Sequence, residues 1–429
     1  KFTGHTITSD SALGAAKIQR SLRFYEPNPS DENSTAATNL TRTPSSTGNR
    51  KIWTFSSWIK KFHGIGTGND SAAYIYGAYS GSDYFSLYFL DDEIHTYYSP
   101  GNNYGQVNAR KLRDTTSWFH LVHQVDATNT TQNIWINGEA LTCDSDRNPG
   151  NSNYPMNESG VDMYVGKASW RDDNVDGYMA EVNHIDGSLI APTEFGFTDP
   201  VTNIWMPKRY EGTYGTNGFY LDFSDNSSTA ALGIDKSPNG NDFATYNFAV
   251  SGTGIDTFID TPTNNFCTLN HLDKTNDADV QNGGLTLYNN ANDQAATGTF
   301  GVTSGKWYWE VTMNSNEPEI GIAHFKMPLS NKSVSVAGDG QIALIVTGAD
   351  GNSNFLRVNG STTSGSGISG QSGPGTIGVA LDMDNKKIWF TNTSGNYFNS
   401  GNPVTGNNPA VDFSSTGHYP AGVTPFISL

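Results

Sequence analysis

Thr376–Phe390, TIGVALDMDNKKIWF, is the stretch on which the reading of the fold turns. An alternating apolar run leads into a tight acidic turn and out into a second apolar run, the pattern of a β-hairpin. Trp118–Ile136 (WFHLVHQVDATNTTQNIWI) has the same plan. Both segments end with an Ile-Trp pair and run on into an Asn- and Gly-containing turn, Asn137-Gly138 in one and Asn392-Thr393-Ser394-Gly395 in the other. One hairpin plan used twice predicts two β-domains. Asp382 and Asp384 look like a carboxylate pair. An Asp in such a turn normally accepts hydrogen bonds from the backbone that follows it, so both are read as turn residues.

Composition agrees with a β protein. A chain of 429 residues is long enough for about two to three domains. Hydrophobic residues make up only 35%, but aromatics reach 12%, and each aromatic ring buries a large area, so a core can form. The 46 glycines, with many Asn, Ser and Thr, punctuate short aromatic runs, and no long helical period is present. This pattern predicts all-β sandwiches. A net charge of −17 argues against a nucleic-acid binder, which needs a basic footprint. No apolar run approaches the length of a membrane span. Cys143 and Cys267 form no Cys-x-x-Cys pair, so neither a disulfide framework nor a zinc site is expected.

Outward from the two hairpins, residues 1–20 are expected to be an arm packed on the first domain, or one reaching a neighbouring subunit. Strands are expected at Ser21–Tyr25, Lys51–Lys61, Ala73–Tyr79, Tyr84–Phe89, Glu93–Tyr98, Asp162–Val165 and Gly177–Ile185, with loops over 26–50 and 143–160. Ile190–Phe195 reads as one helical turn, with Pro192 at its start. Residues 209–270 read as an irregular connector lying along both domains with a few pairing strands, Gly218–Phe223 (GFYLDF) among them, because a structureless loop this long is unusual inside one compact domain. From residue 271 the β pattern resumes, with Gly305–Met313 (GKWYWEVTM) its strongest strand. The Gly/Ser tract 359–375 reads as a surface loop.

The segments SLRF, WTFSSWIKK, SWFHLVHQVD, IWINGEAL and DGYMAEVNHIDGSLIAPTEFG, in this order, resemble the strands of a LamG-like domain of the concanavalin A-like lectin/glucanase superfamily, over roughly residues 20–208. GKWYWEV, IGIA, TIGVALDMDNKKIWF and PFISL resemble a SPRY-like domain over 271–429. The resemblance implies two concanavalin A-like jelly-roll sandwiches joined by the connector. The order of the two domains is similar to that of virion-associated proteins of tailed phages. It therefore implies a non-enzymatic virion or surface structural protein, such as a tail fibre or capsid decoration. Its partners would be further copies, other virion proteins or host-surface glycans. A secreted carbohydrate-binding protein and a glycoside hydrolase are the alternatives.

The chemistry in the residues is sparse. Glucanases of this superfamily set paired acids at alternate positions of one strand, at the short spacing that retention needs. Here Glu181 is flanked at that spacing by Met179 and Asn183, and Glu310 by Tyr308 and Thr312, so no catalytic residue is assigned. His120 and His123 fall on opposite faces of one strand and cannot share a site. Asp172, Asp173 and Asp176 are the candidates for a loop Ca²⁺ site. Aromatics at strand ends or in loops, Tyr97, Tyr98, Tyr104, Tyr154, Trp170 and Tyr397, are the candidates for stacking on sugar rings. The strand residues Trp307, Trp309 and Trp389 are expected in the core.

Overall fold

The structure, a computed structural model, describes residues 15–25, 37–62, 72–100, 103–106, 110–142, 148–168, 174–252, 254–275, 278–288, 294–314, 318–324, 341–345, 355–358, 361–364, 374–415 and 422–429. The chain divides into two units, Lys1–Phe266 and Cys267–Leu429. Each is an antiparallel two-sheet sandwich of the jelly-roll type.

In the first unit an eight-stranded sheet runs in the order Glu139–Leu141, Thr131–Ile136, Phe119–Asp126, Ile52–Lys61, Gly177–Asp186, Ser21–Phe24, Thr257–Phe258, with Phe219–Leu221 also pairing onto Gly177–Asp186. A seven-stranded sheet faces it, in the order Ala244–Tyr246, Asn39–Arg42, Met163–Val165, Ala73–Tyr79, Tyr84–Leu90, Glu93–Ser99, Asn103–Gln106. Because side chains alternate along a strand, Trp53 and Phe55 of one sheet meet Phe85 and Tyr76 of the other. Phe55 stacks on Tyr76 with ring centroids 4.5 Å apart, and Trp53 meets Phe85 edge-on at 5.1 Å. Each such buried ring stabilises the sandwich by roughly 1.5–3 kcal/mol.

The segment expected to be a connector is divided. Through Phe266 it belongs to the first unit, where Phe219–Leu221, Ala244–Tyr246 and Thr257–Phe258 add strands to both sheets. Its carboxylates act as staples. Arg23 pairs with Asp256 at 2.7 Å, and Asp256 also accepts from the Ala249 N–H. Asp235 accepts from the backbone of Tyr220, Ser237 and Asn241. Asn39–Arg42, inside the stretch expected to be loop, is a strand paired on both sides. Its polar NLTR sequence gives no apolar alternation to read. Of the N-terminal arm, residues 15–20 are described; Ala15, Ala16 and Ile18 are buried against their own unit, with the Ala16 N–H donating to Pro207 O.

The Glu of the GYMAEV motif has a definite structural task. Gly177–Asp186 pairs with Ile52–Lys61 in two registers that shift between Ala180 and Asn183. Glu181 sits at this irregularity with φ +51°, a left-handed conformation that side chains rarely adopt. Its carboxylate accepts from the Tyr220 hydroxyl at 2.6 Å.

In the second unit a seven-stranded sheet (Leu269–Lys274, Ala295–Gly298, Val423–Ser428, Glu319–His324, Gln341–Ile345, Phe355–Val358, Ser361–Ser364) packs on a four-stranded one (Lys306–Met313, Gly375–Asp382, Lys387–Phe390, Val411–Asp412). Ile320, Ile322, Ile342 and Leu344 from the first meet Ile377, Val379, Leu381, Ile388 and Phe390 from the second. Ser361–Ser364 is thus a strand within the tract expected to be loop.

The two hairpins that organise the chain share one turn down to the atom. Asp126 Oδ1 accepts from the N–H groups of Thr128 and Asn129, and Oδ2 from Asn129 Nδ2. Asp382 Oδ1 accepts from the N–H groups of Asp384 and Asn385, and Oδ2 from Asn385 Nδ2. Asp384 in turn accepts from the Gly305 N–H. Burial works against the Asp382 charge, yet the bonds from Asn385 and the nearby Lys306 hold its pKa below the usual range. Asp126→Ala and Asp382→Ala are each expected to cost about 1–3 kcal/mol, since each leaves turn N–H groups without their charged acceptor. Denaturant melts of the two variants check this, and unchanged midpoints would show the turns to be held by their flanking strands alone.

Candidate functional site

Of the six aromatics singled out in the sequence, two are core residues. Tyr98 and Tyr154 are fully buried between the sheets. Tyr98 donates to Gln132 Oε1 at 2.9 Å, and Tyr154 donates to Gly150 O, with burial pushing the Tyr154 phenol up to about 12. Neither offers a ring face to a ligand. Their loop and strand-end positions hid this, because a ring attached at the rim can still fold back between the sheets. Tyr97 lies on the other face of the seven-stranded sheet, where Tyr74, Tyr84, Tyr88 and Tyr97 pack together with Ala168. There Tyr97 bonds the Tyr84 hydroxyl, with ring centroids 4.4 Å apart, and it too is buried. Tyr104 stands opposite Tyr97 in strand register. Trp170, Asp172 and Asp173 lie outside the described residues; Asp176 is half-buried just before the Gly177 strand. Among the described residues no cluster of three metal-ligating side chains occurs.

Tyr397 leads to a different surface. It is half-buried and bridges Thr391, beside the outer face of the four-stranded sheet of the second unit. Register places Tyr308, Ala380 and Trp389 in one row across three strands of that face, and Glu310 and Gly378 in the next. Trp389 is buried although it points away from the core. Its Nε1 donates to Asn407 O at 2.9 Å, and Gly401 packs so close that a Cβ there would meet the indole at 2.7 Å. Tyr308 stays open, at 56% exposed, with its phenol end against Gly378, where a Cβ would stand 2.5 Å from the hydroxyl. It donates to Glu310 Oε1 at 2.8 Å. This bond, followed by partial burial and the charge of Glu310, pushes the phenol up to about 12. Burial raises the Tyr397 phenol as well. Thr312 and Thr376 share a hydroxyl hydrogen bond of 2.9 Å at the end of the same face.

Trp307 corrects the expectation of a core residue: it is 41% exposed, with Nε1 donating to Ser304 O. Trp309 does pack against the core. Lys306–Met313 is an edge strand, and Trp307 stands at its start, where the indole turns back to its own strand end at Ser304 O. Trp307 and Tyr308 are the one adjacent pair of exposed aromatic rings among the described residues. An exposed ring face beside a carboxylate and two hydroxyls can stack on the C–H face of a sugar and bond its hydroxyls. The sequence signal for Tyr308 was present in the alternation of KWYWEVTM, which puts Tyr308 and Trp309 on opposite faces. Which face was open was not.

The sequence matches no protein-family model and no curated protein. Among similar solved structures, a protein described as carbohydrate-binding from Bacteroides ovatus has a TM-score of 0.37 and 16% identity, over 54% of this chain and 59% of its own. This chain therefore spans less than two thirds of that protein. A native heptameric SAP-like pentraxin from Limulus polyphemus gives 0.31 and 15%, over 41% and 80%. The PSpry domain of TRIM65 gives 0.24 and 19%, over 31% and 62%. No helix among the described residues is long and apolar enough to cross a membrane.

Proposed function

We propose that the protein is a non-catalytic component of a virion or other surface assembly, and that its second sandwich binds carbohydrate on the outer face of the four-stranded sheet. The observation that carries the binding reading is the exposed Tyr308 ring, set beside Glu310 and Tyr397 on a rigid sheet. Placement on a phage-like particle is supported by the order of the LamG-like and SPRY-like segments. The non-catalytic reading is supported by the occupations of the two strand glutamates, since Glu181 and Glu310 each accept from a neighbouring tyrosine.

A glycan array of the whole chain, run with Ca²⁺ and with a chelator, tests the binding. Tyr308→Ala is expected to weaken the glycans retained by the parent protein about tenfold, the equivalent of ~1.4 kcal/mol. Val404→Ser, at another exposed position, is expected to leave them unchanged. A parent protein that retains no glycan, or a Tyr308→Ala variant that binds equally well, would overturn the proposal.

A further inference from the structure

Every sheet edge among the described residues but one is short or irregular. In the first unit the edges Glu139–Leu141, Thr257–Phe258, Ala244–Tyr246 and Asn103–Gln106 are two to four residues long. In the second, Val411–Asp412 has two residues and Ser361–Ser364 four, while the six-residue Leu269–Lys274 is broken by a register shift. Short or irregular edges are how folded chains avoid pairing with one another. Lys306–Met313 is the exception. It pairs with Gly375–Asp382 on one side over eight residues without a bulge, and no strand among the described residues pairs on the other. It contains no Pro, and it is rich in the β-favouring residues Trp, Tyr, Val and Thr. Lys306, Trp307, Tyr308, Glu310 and Thr312 are all exposed.

The strand is also complementary to itself. When two copies meet antiparallel, opposed residues share a sheet face, so the sum of their numbers must be even for the two sandwiches to lie on the same side of the joined sheet. A two-fold axis at Tyr308 satisfies this. It sets Lys306 against Glu310 of the second copy, Trp307 against Trp309, and Tyr308 against Tyr308. Opposite charges and paired aromatics are the cross-strand neighbours that stabilise antiparallel sheets. An axis at Glu310 would instead oppose like charges. From the free edge and this register, we infer that Lys306–Met313 joins its counterpart in a second copy of the chain, making one eight-stranded sheet across a two-fold dimer. The contact is isologous, so it closes on itself at two copies. It leaves the outer face of the sheet uncovered and does not depend on any glycan being bound there.

Sedimentation velocity of the whole chain over a concentration series tests the inference. The parent protein is expected to show a concentration-dependent dimer. Glu310→Lys and Lys306→Glu each place like charges opposite one another, and each is expected to weaken the dimer at least about tenfold. The double swap K306E/E310K restores the opposite pairing and is expected to restore the dimer. As a direct measure of register, Tyr308→Cys is expected to give a disulfide-linked dimer under mild oxidation, where Thr312→Cys and the parent do not. A parent protein that stays monomeric up to about 100 µM, between the micromolar and millimolar affinity marks, would overturn the inference. So would single charge variants that dimerise like the parent, or a double swap that fails to rescue them. None of these readouts uses a sugar, so failure here is separate from failure of the carbohydrate reading.

Discussion

Acidification from pH 7 to pH 4.5 is expected to unfold the first sandwich before the second. Three fully buried histidines lie in the first unit, and burial is the leading cause in each case: it lowers His120 to about 3, His123 to about 4 and His184 to about 3. His120 is held between Trp58 and Trp205, accepts from the Trp205 Nε1–H at 3.1 Å and bonds the Ser56 hydroxyl. His184 bonds Tyr76 at one ring nitrogen and Asn157 at the other, with the positive charge of Arg42 a further lowering influence. His123 faces the core beside Phe85, Tyr98 and Gln132.

In the unfolded chain these rings titrate near ~6.5. Between that value and the folded values the unfolded state binds more protons, so stability falls as the pH falls. Each histidine contributes a slope of about 1.4 kcal/mol per pH unit, and together they contribute about 4. Over the two units from about pH 6.5 to 4.5 this is about 7–8 kcal/mol, comparable with the whole stability of many domains. Asp186 and Asp256, which burial holds above the usual carboxylate range, act in the opposite sense and only at the lower end of the window. Urea melts at successive pH values check the slope. His123→Phe is expected to remove about a third of it, because Tyr98 still donates to Gln132 when the imidazole is gone. A stability that stays flat down to pH 4.5 would disprove the account.

Asp260→Ala is expected to destabilise the first unit by about 3–5 kcal/mol, the cost of leaving a buried charge without its partner. Lys60 is wholly buried and pairs with Asp260 Oδ2 at 2.8 Å, while the other carboxylate oxygen accepts from Trp118 Nε1 at 2.8 Å. The Asp260 carbonyl also accepts from the Ser21 hydroxyl. One residue thus ties the last segment of the unit to two of its strands and to the start of a third, since Trp118 immediately precedes Phe119–Asp126. In Asp260→Ala the ammonium keeps only Asn265 Oδ1 and Phe266 O as acceptors. Adding Lys60→Met removes the stranded charge, and this double variant is expected to recover part of the loss. Calorimetry of the parent and the two variants decides. A double variant no more stable than Asp260→Ala would mean that the lost Trp118 and backbone bonds, rather than the charge, set the cost.

Lys60 also shows what the chain reveals only when folded. KIWTFSSWIKK alternates, and the strand is legible from that alternation. A lysine near its end would ordinarily be placed in water. In the structure the segment after Thr257–Phe258 lies over that face, with Asp260, Asn265 and Phe266 O holding the Lys60 ammonium, and Ile52–Lys61 is buried along nearly its whole length. The covering segment lies some two hundred residues away in sequence, and no local pattern announces it. The same limit accounts for Tyr98 and Tyr154, read as surface rings and found in the core, and for Trp307, read as core and found exposed.

The Asp turn of Thr376–Phe390 was legible because every partner of Asp382 that shapes it lies within three residues, as it does for Asp126 in the first hairpin. Local hydrogen bonding and period-two alternation need nothing beyond the chain's own neighbours, so residue order alone settled the all-β class, the two hairpins, the bounds of most strands and the structural role of the acidic turns. Exposure is different in kind, because it depends on which distant segment lies over a face and which edge is left without a neighbour. Folding in three dimensions therefore decided that Trp389 is covered and Tyr308 open, that the segment through Phe266 completes the first sandwich, and that Lys306–Met313 ends its sheet with no further strand among the described residues.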